Sequence, residues 1–382
     1  MRNRPRKSAW RDLSRRKFLE ASSMGFVASR VAASEARAQQ PAEPAGRKIR
    51  YALVGLGRLA IGQLMPAFKS CKHSTLTALV SGHRDKALKY AAQYGVNPKN
   101  IYNYENYDTI KDNPEVDVIY IVLPNFMHAE YTIRGAQTGK DIFCEKPMAN
   151  TPDDCRKMIA ACREAKRKLM IGYRLHYEPY TRRLIELAQG GLGRLKVVDA
   201  SAAFNIRDPN EWRLRQKEAG GGSLMDIGIY ALQAARYLTG EEPVEVNAMQ
   251  HSTPGDARFK EVEETINFQL RFPSGVLANC VSSYGVGYNR FRAIGDKGWA
   301  ELEPASSYHG LHLRVSRGEE IEEPALPDID QFAAEMDHFS QCILQDKEPR
   351  TPGEEGLRDL VAMMAIYEAA RSKKTVTLSP RA

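Results

Sequence analysis

The chain has 382 residues, 43% hydrophobic and 27% charged, the balance of a soluble globular protein too long for one ordinary core, so two domains are expected. Its net charge of +8 is concentrated in residues 1–38, where Arg2, Arg4, Arg6, Lys7, Arg11, Arg15, Arg16, Lys17, Arg30 and Arg37 face only Asp12, Glu20 and Glu35. The remainder is within one charge of neutral, which leaves no basic footprint for a nucleic-acid partner.

That basic leader has the anatomy of an export signal. SRRKFLE (Ser14–Glu20) carries a twin arginine, a weakly apolar run follows over Ala21–Ala33, and Ala36–Ala38 closes it with the small-x-small pattern of a cleavage site. The run is too short and polar to span a membrane. Residues 1–38 are therefore expected to engage the twin-arginine export machinery and to send an already folded protein to the periplasm; a plain basic tail is the alternative. Residues 39–47 form a short Pro/Ala/Gly-rich arm.

From residue 48 strands and helices alternate. KIRYALVGLG is a strand entering a glycine turn, and a helix over Leu59–Lys69 follows. GLGRLA (Gly55–Ala60) fits G-x-G-x-x-A between strand and helix: Gly55 and Gly57 let the backbone approach a pyrophosphate, with Arg58 and Leu59 opening the helix. The second strand, TLTALVSG, ends on Ser81 and not on the carboxylate that would hydrogen-bond a ribose 2′-hydroxyl. Ser81 with the cations Arg84 and Lys86 suits a 2′-phosphate, so NADP is expected over NAD. The apolar run Val116–Pro124 reads as a strand covered on both faces, and a helix over His128–Thr138 leads to the strand DIFCE. There Glu145 and Lys146 stand at the strand's carboxyl end, where open α/β sheets bind ligands, with Lys146 held back from the next helix by Pro147. A helix over Pro152–Ala165 and the strand KLMIGY complete an α/β Rossmann domain, a doubly wound parallel sheet over 48–172.

Beyond it, 173–382 reads as an α+β domain. A helix over Thr181–Gln189 is followed by LKVVDASAAF, VEVNAMQHS, ETINFQLRF, GVLANCVSSYG, FRAIGDKGWAELE and LHLRVSRG, long alternating strands of a large, mostly antiparallel sheet with one face open. Such a face predicts a homodimer or homotetramer. Helices are expected over Leu224–Thr239 and near Glu354–Ser372. In GGGSLMDIGIYALQ (Gly220–Gln233), Asp226 and Tyr230 are four apart and share a helix face, after glycines that permit close approach to the cofactor domain. A phenol is a poor base at neutral pH, but an adjacent ammonium, which Lys146 can supply, favours the phenolate. A core tyrosine with a capping aspartate is the bland alternative. The six cysteines show no C-x-x-C pair and no zinc spacing, so buried thiols and no metal are expected.

The glycine turn, EKP, GGGSLMDIGIY and the two-domain grammar together resemble the glucose–fructose oxidoreductase/inositol dehydrogenase/MocA (Gfo/Idh/MocA) family, over about Arg47–Thr375. Within it, YIVLPNFMHAE, CEKPMA, KLMIGYRLHYEP, WRLR and TPGEEG are similar to the glucose–fructose oxidoreductase branch. The resemblance implies Lys146, Asp226 and Tyr230 as the catalytic group, with Tyr177 beside them at the substrate. It implies cofactor contacts at Gly55, Gly57, Arg58, Leu59, Ser81, Arg84, Lys86, Tyr104, Leu123, Pro124, Asn125, His128, Glu145, Lys146, Arg174, Trp212, Arg213 and Tyr308. The activity implied is oxidation of an aldose such as glucose at C1 to a lactone. Tightly bound NADP then passes hydride to a second sugar, fructose or another aldose, to give a polyol. An NADP-dependent sugar dehydrogenase with exchangeable cofactor and a non-catalytic cofactor-bound binding protein stay open as alternatives. The arm is shorter than in that branch, and Arg317–Ile329 departs from it, so cofactor retention and sugar preference are where this chain is expected to differ.

Overall fold

The computed structural model describes residues 46–379; the expected signal at 1–38 and most of the arm at 39–47 lie outside the described residues. Six short apolar runs become parallel strands: β1 (Ile49–Val54), β2 (Ser74–Val80), β3 (Ile101–Tyr102), β4 (Val118–Ile121), β5 (Asp141–Glu145) and β6 (Leu169–Gly172). They lie in the order β3-β2-β1-β4-β5-β6. Every residue of β4, β5 and β6 is buried, as strands covered on both faces require. The order reverses between β1 and β4, and Val54 pairs with both Val80 and Ile121, so the carboxyl ends of these strands open on a common crevice.

The helix expected over Leu59–Lys69 is shorter and less regular: a π turn over Ala60–Leu64 continues as Met65–Ala67. The others form as patterned. Arg84–Tyr94 ends on Gly95 in the left-handed region. Asn125–Gln137 follows Pro124, and the Thr151 side chain accepts from the Asp154 N–H at the start of Pro152–Glu164.

The second sheet is built from β7 (Leu195–Ala203), β8 (Glu245–His251), β9 (Thr265–Arg271), β10 (Leu277–Ser283), β11 (Tyr288–Gly295), β12 (Gly298–Leu302), β13 (Leu313–Arg317), β14 (Glu320–Glu322) and β15 (Val376–Thr377). Its order is β14-β13-β12-β11-β7-β10-β9-β8-β15, antiparallel except between β7 and β10. One face is covered, and helix Ile229–Thr239 packs against β7 and β10. On the other face Met249 and Leu277 are exposed. FRAIGDKGWAELE, read as one strand, is two: Asp296 and Lys297 turn β11 back onto β12, with Gly295 facing Gly298. The helix Gly353–Ser372 forms as expected.

One helix escaped the sequence reading. Gln331–Leu344 is capped by the Asp330 carboxylate, which accepts from the Phe332 and Ala333 N–H groups. The spacing of Phe332, Met336 and Phe339 makes one apolar stripe, a legible signal that the charged, strand-like segment before it obscured. Although it comes late in the chain, this helix packs on the first sheet. Phe339 meets Phe143, with ring centroids 5.7 Å apart, and the Tyr51 hydroxyl donates to the Met336 carbonyl at 3.0 Å. Phe332, Met336 and Phe339 thereby join the apolar cluster of Tyr51, Leu53, Tyr120 and Phe143. All six cysteines are buried and unpaired.

Candidate active site

The β1 turn leaves the strand through Gly55, whose φ of +93° suits glycine and whose N–H donates to the Val80 carbonyl at 3.0 Å. A Cβ there would lie 2.4 Å from the Val122 carbonyl oxygen and 2.9 Å from Leu123 Cδ2, so the turn nests against β4. At Gly57 an added Cβ meets nothing within 4 Å, which leaves this rim of the turn open to a phosphate. At the end of β2, Ser81 is buried and its hydroxyl accepts from the His83 N–H at 3.1 Å. Arg84 and Lys86 stand exposed at the start of the next helix, and the Tyr104 ring lies beside Gly82. These residues lie together at the carboxyl ends of β1 and β2, where a dinucleotide crevice would take its adenosine half.

On the other side of the switch, a cleft of about 820 Å³ opens between the two sheets. Arg58, Leu59, Glu145, Lys146, Arg174, Arg213, Asp226, Tyr230, Tyr308 and Phe332 are among its lining. Lys146 follows β5 directly, its bond to Pro147 is cis, and its ammonium donates to the Asp226 main-chain oxygen at 2.6 Å. The same Nζ is 3.4 Å from Asp226 Oδ1 and 4.9 Å from the Tyr230 ring centroid. Arg174 lies over Tyr230 at 5.1 Å, Tyr308 at 4.7 Å and Phe332 at 5.8 Å. Its guanidinium is fixed by donating to the Gln331 side chain and to the Ser306 carbonyl. Tyr230 is 6% exposed, so its phenol ring is held between two cations at the inner wall of the cleft.

Asp226 is the anionic centre. Its Oδ2 meets Arg213 Nε at 2.9 Å and accepts from the Tyr284 hydroxyl at 3.2 Å. Burial alone pushes its carboxyl up, but Arg213 and Lys146 reverse this and hold it at about 2. Burial likewise depresses the Lys146 ammonium, while Tyr230, Asp226 and Glu145 outweigh it and raise its pKa. The group is therefore a carboxylate, an ammonium and a phenol in contact, arranged to keep the lysine charged.

Not every expected residue reaches the cleft. Tyr177 donates or accepts at the Thr351 hydroxyl, 3.2 Å away, and rests on Met170, with Arg350 over its ring; it belongs to packing and not to the substrate pocket. His128 is buried, with Nδ1 2.9 Å from the Pro147 carbonyl and Nε2 2.8 Å from the Leu123 carbonyl. Both ring nitrogens face strand-end carbonyls, of which a neutral imidazole can donate to only one, so the enclosed ring braces the crevice. Asn125 reaches across to donate to the Ala219 carbonyl at 2.8 Å, with Pro124 just before it. Trp212 lies under Arg213, centroid 4.6 Å from its Cζ, and Arg58 pairs with the buried Glu211.

The glycine run also serves a different end. Only Gly220 faces the cofactor half, where a Cβ would come within 2.8 Å of Asn150 Oδ1. At Gly221 it would strike the Tyr367 hydroxyl at 2.1 Å, and at Gly222 the Glu263 carbonyl at 2.2 Å. The Glu263 carboxylate accepts from the Gly222 and Leu224 N–H groups at 2.8 and 2.9 Å, seating the π turn Leu224–Gly228 that carries Asp226. Sequence reasoning missed Tyr284, just after β10, Glu263, just before β9, and Glu335, in the helix Gln331–Leu344; each comes from a distant segment, and only the cap and stripe of that helix gave a signal.

Comparison with known proteins places these features. Residues 49–173 match the model described as oxidoreductase family, NAD-binding Rossmann fold, and residues 181–301 match the GFO/IDH/MocA C-terminal domain. The chain is 34% identical over 338 residues to D-xylose 1-dehydrogenase (NADP+) of Haloarcula marismortui, covering 86% of this chain and 93% of that one. It is 26% identical to inositol 2-dehydrogenase of Rhizobium meliloti, covering 87% and 99%. Among solved structures, aldose–aldose oxidoreductase of Caulobacter crescentus, complexed with glycerol, superposes with a TM-score of 0.85 at 51% identity, covering 87% of this chain and all of that chain.

Proposed function

The chain belongs to the GFO/IDH/MocA oxidoreductase family, and from that premise we propose that it is an exported NADP-dependent sugar oxidoreductase that couples oxidation of an aldose at C1 to reduction of a second sugar. Its class is that of NADP-dependent enzymes acting on the CH–OH groups of sugars, as the 34% and 51% identical relatives support. The observation that carries the reading is the convergence of Lys146, Asp226 and Tyr230 in one cleft at the carboxyl end of β5. NADP fits this chain at the open rim of the Gly55–Gly57 turn, with Ser81, Arg84 and Lys86 toward its 2′-phosphate; when bound it accepts hydride and gives it back.

The protein's own residues handle the proton. Tyr230 accepts it from the C1 hydroxyl of the aldose, leaving a lactone, and returns it to the second sugar, a ketose or aldose, to complete a polyol. The cations of Lys146 and Arg174, about 5 Å from the centre of the Tyr230 ring, would favour negative charge developing on the phenol, and Asp226 holds Lys146 and Arg213 in register. Export supplies a reason for the cycle: outside the cytoplasm no pool of NADP replenishes the enzyme, so the cofactor stays bound and is reoxidised in place. The leader at 1–38 would carry the folded, loaded protein through the twin-arginine route to the periplasm, and the open sheet face would pair copies into a dimer or tetramer.

Purified protein given glucose plus fructose, or glucose alone, with no added cofactor, should yield lactone and polyol in equal amounts. Tyr230→Phe should lower turnover by about 10²- to 10⁴-fold while the protein still carries nucleotide; undiminished turnover removes Tyr230 from the reaction. The similarity to a D-xylose dehydrogenase supports a second reading, an enzyme that exchanges its NADP, and a requirement for added NADP in steady state selects it.

A further inference from the structure

Beneath the cleft, two carboxyl side chains share one hydroxyl. Glu145 closes β5, and Gly172 on β6 makes room for it: a Cβ there would lie 3.1 Å from Glu145 Oε1. The Tyr120 hydroxyl on β4 donates to Glu145 Oε1 at 2.6 Å. The same hydroxyl is 3.5 Å from Oε1 of Glu335, a fully buried residue of the helix Gln331–Leu344. Glu335 Oε2 has no hydrogen-bond partner among the described residues.

A phenol has one hydrogen to give. With it committed to Glu145, the Tyr120 oxygen faces Glu335 only as an acceptor, so the contact is attractive only when Glu335 carries a proton. A carboxylate there would also bury a charge with an unpartnered oxygen, which is far more costly than burying the neutral acid. The surrounding groups agree. Burial pushes Glu335 well up and Glu145 and Asp330 push it further, outweighing the Arg174 cation and the Tyr120 hydroxyl, which pull it down. Glu145 is also raised by burial, against Tyr120, Lys146 and Arg174.

We propose that Glu335 is a proton reservoir that sets the charge of Glu145 through Tyr120, and thereby the balance between oxidised and reduced nicotinamide on the enzyme. This rests on the NADP-dependent reading above. With the glycine turn and Ser81 holding the pyrophosphate and adenosine half, the nicotinamide half would lie toward the end of β5, where Glu145 lines the cleft. The oxidised ring is cationic and is favoured beside an anionic Glu145; the reduced ring is neutral and is not. The proton moves by exchange through the shared hydroxyl: Glu335 gives its proton to the Tyr120 oxygen as Tyr120 gives its own to Glu145. Glu335 becomes the carboxylate, Glu145 the acid, and Tyr120 is unchanged. Glu335 touches neither sugar nor ring and acts as a positioning residue for charge.

Two variants keep the fold and break the exchange. Glu335→Gln is isosteric and donates permanently to Tyr120, fixing Glu145 as the anion. Tyr120→Phe removes the shared hydroxyl and keeps the ring stacked on Phe143, 4.0 Å away. The readout is competition between NADP+ and NADPH for the full mature protein, followed by the absorbance of bound nucleotide. In Glu335→Gln the preference should move toward NADP+ by about tenfold, the effect of one charge within hydrogen-bonding range of Glu145. In Glu145→Gln it should move the opposite way. A merely structural Glu335 changes both affinities equally. An infrared spectrum of the cofactor-free protein supplies the independent arm: a carboxylic-acid carbonyl band should be present in the native chain and lost in Glu335→Gln. No such band, or an unchanged NADP+/NADPH preference in both Glu335→Gln and Tyr120→Phe, overturns the reservoir. A native protein that binds neither nucleotide overturns the functional reading instead, and the infrared arm still decides on the proton.

Discussion

Replacing Asp226 with Asn tests the electrostatic heart of the site, because it removes charge and keeps shape. In the native protein the carboxyl sits at about 2, against its ordinary 3.8. Depressed in the fold, it contributes roughly 2 kcal/mol of stability, present in full above the unfolded value near pH 4 and lost as pH falls through 2. Asp226→Asn forfeits this at neutral pH and leaves Arg213 and Lys146 facing a neutral amide, so the loss should fall between about 2 and 4 kcal/mol. The kinetic signature is sharper. Lys146 lies above its ordinary 10.5 because Tyr230, Asp226 and Glu145 outweigh burial. With the second of these gone, its pKa should drop. Sugar oxidation needs the ammonium, so the alkaline fall of kcat/KM should begin at a lower pH in Asp226→Asn than in the native enzyme. Initial rates of lactone formation from pH 6 to about pH 10.5 decide it. A variant whose alkaline limb coincides with the native one refutes the claim that Asp226 keeps Lys146 charged.

Other consequences can be checked with single substitutions. Ser81→Asp places a carboxylate where a 2′-phosphate would sit; it should weaken NADP binding by about 10- to 100-fold and spare NAD, as read by calorimetry with each nucleotide. Gly222→Ala puts a methyl 2.2 Å from the Glu263 carbonyl and should cost about 2 to 4 kcal/mol in denaturant unfolding, with loss of activity in whatever fraction folds. Arg15→Lys with Arg16→Lys should hold the full-length precursor in the cytoplasmic fraction, and equal amounts of mature protein in the periplasm would refute twin-arginine export.

The sequence spoke most clearly where chemistry is local. The turn at Gly55, the missing acid at Ser81 and the charged pair before Pro147 each sit within a few residues of the strand end that gives them meaning. Asp226 and Tyr230 were legible because helical spacing places them on one face. What could not be read depends on contacts between distant segments. Tyr284, 58 positions beyond Asp226, reaches its carboxylate only through the register of β10 in a nine-stranded sheet. Glu335 meets Tyr120 across 215 positions. Tyr177 and His128 were misplaced for the complementary reason: a motif fixes where the backbone goes, while neighbours from Thr351 or the Leu123 carbonyl decide where the ring points. The glycines at 220–222 were identified correctly as sites of close approach, yet two of the three answer to Tyr367 and Glu263 within the second domain.

The docking of Phe332, Met336 and Phe339 against Tyr51 and Phe143 has a consequence for synthesis. While the ribosome has made only the first half, the nucleotide-binding sheet presents a bare greasy flank, and its finishing piece has not yet been translated. That flank stays uncovered until residue 344 has cleared the exit tunnel, and a fragment ending after β6 should stick to itself or to chaperones. A secretion system that accepts only finished cargo would then be inspecting, in effect, whether the tail of the polypeptide has come home.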